Sequence, residues 1–375
     1  MRKVKLGDVC VFQFGFPFDS VKFSVNKGMP LIRIRDIVRG FTETFTEEKC
    51  GKEYIVRKND LLIGMDGEFN IGRWKSRPAV LNQRVCKLIP KEDIDADYLY
   101  YFMPKALKEI ENRTPFVTVK HLSAKQLNAI EIMLPSIEEQ KAIAEKLDKV
   151  SSLIEKRKQQ LSLLDTLVKS KFVEMFGPFP DNPKRWEVGT IRDIVADVRY
   201  GSSRPAVKGG KYKYLRMNNI TYDGELDLSE IKYIDIPDSE LSKCTVRRGD
   251  VLFNRTNSKE LVGKTCVYDQ DEMMVLAGFV IRIRVNDRVL PEFLAAFLNT
   301  KRSKKMLLGM CKAAIGQANI NAQEMQNINL YIPPIEYQDR FLQLKKYLDS
   351  SKAKIKKSLA ALELLKKSLM QKYFG

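Results

Sequence analysis

No Gly or Pro interrupts the chain between Ser136 and Phe176. Along that run Ile143, Leu147, Val150, Ile154, Leu161, Leu164, Val168 and Met175 follow alternating steps of four and three. This spacing keeps one narrow apolar stripe on a single face, the pattern of a coiled-coil seam. Arg157 and Lys171 fall on the stripe and interrupt it. They either set register against a partner helix or carry their charged ends out of the interface on long stems. Glu138 and Glu139 suit the positive end of a helix, and Gly177-Pro178 stops it. A helix of roughly forty residues is about 60 Å long.

The same stretch returns at the end of the chain. Pro-Ser-Ile-Glu-Glu-Gln (135–140) corresponds to Pro-Pro-Ile-Glu-Tyr-Gln (333–338), and Phe176-Gly177 to Phe374-Gly375. Both ends give one offset, 198 residues. The seam returns as Phe341, Leu344, Leu348, Ile355, Leu362, Leu365 and Leu369. A long helix with this much Leu on one side needs a partner, and the nearest is the other copy.

The segments before each helix repeat too. Leu6-Gly7-Asp8-Val9 matches Ile191-Arg192-Asp193-Ile194, the segment 31–37 matches 214–220, and Val56–Leu62 matches Val246–Leu252. Strands are expected at Val9–Phe12, Leu31–Ile34, Leu61–Ile63 and Arg84–Ile89, with a helix over Asp97–Glu111 bent at Pro104. The offset drifts along the chain, so a framework repeats while its connecting loops change length. The expected fold is α+β. Globules at 1–135 and 178–333 alternate with helices at 136–177 and 334–375. If the helices pair antiparallel, pseudo-two-fold symmetry relates the halves, and the end of the second helix lies beside the first globule, so that Gly375 comes close to Met1. A parallel pair would need a long connection back to the start of the first helix.

A formal charge of +18, from 65 Lys and Arg against 47 Asp and Glu, suggests a polyanionic partner or else basic helix faces. The Cys residues (10, 50, 86, 244, 266 and 311) are scattered without a C-x-x-C pair and there is one His, so structural zinc is not expected. Unpaired Cys fit a reducing cytoplasm. Met-Arg-Lys-Val-Lys is not followed by a signal-peptide core, and no apolar run approaches membrane-spanning length.

Candidate DNA contacts come from basic residues interleaved with aromatics. In 199–216, Arg199, Arg204, Lys208, Lys211, Lys213 and Arg216 alternate with Tyr200, Tyr212 and Tyr214, and Gly201 and Gly209-Gly210 let backbone approach a phosphate. An ordinary solvated hairpin is the competing reading. In the first globule Arg73, Lys75 and Arg77 surround Trp74, with Arg255, Lys259 and Lys264 as counterparts. Arg33 and Arg35, matched by Arg216, sit on an expected strand and read either DNA or carboxylates within the globule. Lys301, Arg302, Lys304 and Lys305 suit a solvated helix face or phosphate contacts. His121 suits a structural role, and Asp66-Gly67-Glu68 a turn rather than a metal site.

Taken together, these features resemble the DNA-specificity subunit of type I restriction–modification systems, over the whole chain. The resemblance rests on the alternation of globules and long helices, the prolyl turns at 134–140 and 332–338, and the paired segments 56–62 and 246–252. It rests also on Gly316–Asn321 before the second prolyl turn; the first half departs there with Val119-Lys120-His121-Leu122-Ser123. The resemblance implies a chain with no catalytic residues and no bound metal or cofactor. Each globule would read one half of a bipartite double-stranded DNA target. The two helices would pack antiparallel as a spacer and dock two modification subunits, which methylate adenine. Partner subunits, restriction subunits included, would use S-adenosylmethionine, ATP and magnesium. Two other classes stay in view: a self-contained DNA-modifying or DNA-cleaving enzyme, and a coiled-coil scaffold without a DNA role. Ile332-Pro333-Pro334-Ile335 lacks the polar residue and aromatic of an adenine methyltransferase motif, and there is no P-loop. Dispersed nuclease carboxylates would leave no such trace, and a scaffold leaves the divergent basic loops unexplained.

Overall fold

The computed structural model describes residues 2–113, 120–311 and 318–375. The chain forms two compact units, Met1–Lys156 with Ser358–Gly375, and Arg157–Lys357. The long helices run Ile137–Phe176 and Ile335–Phe374. Each therefore gives one part of its length to either unit.

In the first unit an antiparallel sheet has the order Cys10–Phe14, Val85–Pro90, Leu61–Gly64, Ile71–Arg73. A second sheet has Met29–Ile32 parallel to Ala79–Leu81, with Ile55–Val56 beside the latter, Phe45–Thr46 beside the former and Phe23–Ser24 beyond Phe45–Thr46. Arg2–Lys5 pairs with Glu131–Leu134. The second unit repeats this plan. Its sheets run Val195–Tyr200, Val280–Val285, Val251–Asn254, Thr265–Val267, and Lys232–Ile234, Tyr212–Leu215, Met274–Leu276, Thr245–Val246. Tyr212–Leu215 is again parallel to Met274–Leu276, and Glu187–Thr190 pairs with Asn329–Ile332.

The matched segments at 56–62 and 246–252 form one kind of turn. Asn59 and Gly249 hold positive φ, 75° and 90°. The carboxylates of Asp60 and Asp250 accept the backbone N–H of Arg57 and Arg247. An Asn and a Gly tolerate the left-handed backbone there, and the Asp closes the turn before a buried strand. The expected helix runs Ala96–Arg113 with Pro104 inside it. Arg33, Arg35 and Arg216 are not on strands, which corrects the expectation above. The strands end at Ile32 and Leu215, and Asp36 and Asn219 accept the N–H of Arg33 and Arg216 to start a short 3-10 turn.

In the first unit Ile143 and Leu147 share a core with Leu369, Met370 and Phe374. In the second, Val168, Phe172, Met175 and Phe176 share one with Phe341. The start of each long helix thus packs beside the end of the other, and the pairing is antiparallel. Val150, Ile154 and Leu348 are buried, and Leu161, Leu164, Leu344, Ile355, Leu362 and Leu369 are half-buried. Two seam positions differ from expectation. Leu365 is 46% exposed, while Phe172, one residue past the expected Lys171, is buried. A straight helix drifts about 20° per heptad against a strict 3.5-residue repeat, so the buried stripe moves to Val168, Phe172 and Phe176.

The prolyl turns owe their Gln to one interaction made twice. Gln140 Nε2 donates to the carbonyls of Asp93 and Pro135, and its Oε1 accepts from Asp95 N. Gln338 does the same with Arg288, Pro333 and Leu290 N. Both side chains are almost wholly buried. Each Gln fastens the start of a long helix to the loop leaving the strand Val85–Pro90 or Val280–Val285.

Candidate nucleic-acid interface

At the other end of those two strands the loops gather. In the second unit Arg255 N donates to Phe279 O, and Ile320 N donates to Arg255 O. Met65 N donates to Arg84 O and Leu122 N to Met65 O in the first unit, giving the same frame. Gly15 and Gly201 complete it: each N–H reaches the first residue of the central strand, Val85 or Val280. An added Cβ at either Gly would sit about 2 Å from a main-chain carbonyl oxygen, 2.0 Å from that of Asn82 at Gly15 and 2.2 Å from that of Leu276 at Gly201, so only Gly allows the close approach.

The frame is shared but its side chains are not. In the first unit Asp66 accepts from Arg84 at 2.5 Å and meets His121 Nδ1 at 2.7 Å. Arg84 and His121 are 63% and 66% exposed, while Asp66 is largely covered. In the second unit Thr256 Oγ1 donates to Asn319 Oδ1 at 3.0 Å. Phe279 stands 52% exposed where Arg84 stands in the first. The Arg255 guanidinium lies 4.9 Å from the ring of Tyr200. Of these, only Arg255 is one of the candidate contacts, and Tyr200 is one of the interleaved aromatics. Arg84 was hidden at the head of an expected strand, and His121 had no acidic neighbour in sequence.

The basic loop of the second unit lies between the strands Val195–Tyr200 and Tyr212–Leu215. Arg204 is held by Glu240 through two hydrogen bonds, 3.1 and 2.7 Å. Arg199 pairs with Asp197 at 2.9 Å and Lys213 with Glu272 at 2.6 Å. Lys211 lies over the ring of Tyr212, and Lys208 and Lys259 are exposed. Arg216 donates to Glu230 O. In the first unit Arg33 lies over Phe23, Arg77 over Phe45, and Arg35 donates to Thr44. Lys75 is exposed.

Arg73 is turned inward. It pairs with Asp97 at 2.9 Å and Asp148 at 3.7 Å and covers the ring of Tyr100 at 4.3 Å. Its register counterpart is Val267, not Arg255. Arg73 lies opposite Leu61 and Val267 opposite Val251, whereas Arg255 occupies the place of Met65. Lys264 is buried and donates to Met217 O at 2.7 Å. Burial pushes Lys304 down to about 7, with Lys169 and Lys264 adding repulsion, and it donates to Gly263 O. Arg302 pairs with Asp181. Gly316 and Gln317 lie outside the described residues.

Among the described residues no group of three or more His, Cys, Asp or Glu could hold a metal ion, and no helix is long and apolar enough to cross a membrane. In each unit the loop cluster presents a different set of side chains, Arg, His and a carboxylate in the first and Arg, amide, hydroxyl and aromatic ring in the second.

Residues 1–163 and 183–364 match the model of the type I restriction modification DNA specificity domain. The chain belongs to that family. It is 30% identical to the EcoBI type I restriction enzyme specificity subunit of Escherichia coli, over 99% of this chain and 85% of that one. It is 24% identical to the EcoKI specificity subunit of E. coli strain K12, over 92% and 82%. The type I restriction–modification S subunit from M. genitalium superposes with a TM-score of 0.60 at 14% identity, covering 100% and 96%. A chain from a type I R-M system solved for its complex assembly and conformational transition gives 0.57 at 18%, covering 100% and 97%. These comparisons give no support to a self-contained enzyme or to a scaffold without a DNA role.

Proposed function

We propose that this chain is the DNA-reading subunit of a type I restriction–modification complex, with no catalysis of its own. Each unit reads one half of a bipartite duplex target through its loop face. The long helices dock two modification subunits, and restriction subunits join them. S-adenosylmethionine, ATP and magnesium belong to those partners. The observation that carries this reading is one loop frame built twice and furnished with different side chains, in a chain of the specificity family. Lys208, Lys211, Lys259, Lys75 and the exposed Arg side chains of the loops supply phosphate contacts, so affinity falls steeply with salt. Carboxylate partners at Arg199, Arg204 and Lys213 are weak surface pairs that a phosphate can replace.

The test exchanges residues 178–332 for the equivalent segment of a relative and sequences the methylated sites of cells carrying the hybrid and its modification subunit. One half of the target should change. A change in both halves, with folding intact, or methyl transfer by the purified chain alone, would overturn the reading.

A further inference from the structure

We infer that the two equivalent clusters, Asp66–Arg84–His121 in the first unit and Arg255–Thr256–Phe279–Asn319 in the second, are base-edge readers, the first for a G·C pair and the second for an A·T pair. The inference rests on the DNA-reading role proposed above. Three observations carry it. The backbone positions are the same in both units, fixed by matching hydrogen bonds between Met65 or Arg255 and the neighbouring loops. The side chains at those positions differ in chemistry while the frame does not. And their working ends face solvent: Arg84 and His121 are both more than 60% exposed, and Phe279 is a half-exposed ring.

The chemistry at each cluster matches one kind of base pair. Asp66 is a positioning residue. Its carboxylate takes one Arg84 nitrogen and one ring nitrogen of His121, which fixes both side chains and leaves the rest of the guanidinium fork outward. A fork held this way fits the two acceptors of guanine in the major groove. In the second unit Thr256 donates to the Asn319 carbonyl oxygen, which orients the amide and leaves its NH2 free of that bond. An oriented amide pairs with adenine through two hydrogen bonds, and an exposed ring such as Phe279 suits the thymine methyl. Arg255, stacked on Tyr200, sits beside them.

The experiment uses the chain assembled with its modification subunits and reads the methylated sequence and the binding of target duplexes. Arg84→Lys keeps the charge and removes the fork. It should relax one guanine in the half-site of the first unit, with discrimination lost by roughly tenfold or more, and leave the other half unchanged. Asn319→Ala should relax one adenine in the other half only. Unchanged base preference in both variants would overturn the inference, as would a loss of affinity that is uniform across all duplexes, the mark of contacts to the backbone rather than to base edges. Relaxation at a base of the other kind would overturn the G·C and A·T assignment. If the unsubstituted complex methylates no defined bipartite sequence, the DNA-reading role itself falls, and this inference with it.

Discussion

Gln140 and Gln338 show how much a single side chain fixes. Each satisfies two carbonyls and one N–H in a nearly dry site. Gln140→Leu keeps much of the volume and strands those backbone groups, at a cost of about 1–3 kcal/mol. Thermal unfolding of the full chain should show the loss, while the exposed Glu138→Gln control stays within about 0.5 kcal/mol. An unshifted Tm for Gln140→Leu would mean the backbone groups find other partners. The candidate contacts divide at this scale as well. Arg73 and Lys264 look like their neighbours in sequence, yet one is absorbed by Asp97, Asp148 and Tyr100 and the other is buried against Met217. Arg282, buried against Asp197 and the Thr245 carbonyl, is likewise internal. Part of the +18 charge therefore holds the second unit together. A carboxylate or backbone carbonyl distant in sequence decides which part, and nothing in the local pattern shows it.

Among the elements, the long helices were legible down to their ends. Their boundaries and prolyl turns follow from periodicity and the internal repeat, and a 3.5-residue stripe needs a matching stripe; the antiparallel direction rests on the connectivity and on the family resemblance. A buried charge on the second of them was not legible. Lys352 is almost wholly buried and pairs with Asp165 at 2.5 Å and Glu225 at 2.7 Å, while Lys356 adds a second bond to Glu225 at 2.6 Å. The loop carrying Glu225 is thereby tied to the second long helix. Burial pushes the Glu225 carboxyl up, but the hydrogen bonds from Lys352 and Lys356 outweigh it and hold it down at about 2. That lies below the unfolded value of about 4.3. The stabilisation is therefore complete above about pH 5 and is lost as the pH falls through about 2. Glu225 is 41% exposed, so screening discounts the pair to about 1 kcal/mol. Glu225→Gln should lower stability by that amount at pH 7. Urea unfolding should show the gap to the unsubstituted chain closing as the pH is taken below 4. A gap that persists at low pH would assign the effect to packing rather than charge.

For the molecule as a whole, the decisive arrangement is that the second long helix ends inside the first unit. Phe374 packs on Tyr98 at 5.1 Å, as Phe176 packs on Phe293 at 5.0 Å, and Lys105 donates to the Phe374 carbonyl at 2.5 Å. Gly375 lines a cavity with Met133, next to the Leu134 that pairs with Arg2. Joining Gly375 to Met1 by a short Gly/Ser linker and opening the chain near Pro178 should leave the methylated sequence unchanged. Labels at residues 2 and 375 should lie far closer than the roughly 60 Å length of one helix; a separation near that length would refute the arrangement. Sequence by itself determined the repeat, most of the helix seam, the matched segments at 56–62 and 246–252 and hence the family, because each is a pattern readable along the chain without knowing which loops meet. Only the tertiary structure decided which basic residues remain outward and that Asp66, Arg84 and His121 meet. Those outcomes depend on loops from separate stretches of one unit, 18 and 55 residues apart for Asp66 with Arg84 and His121, where register and burial, rather than local spacing, choose the partners.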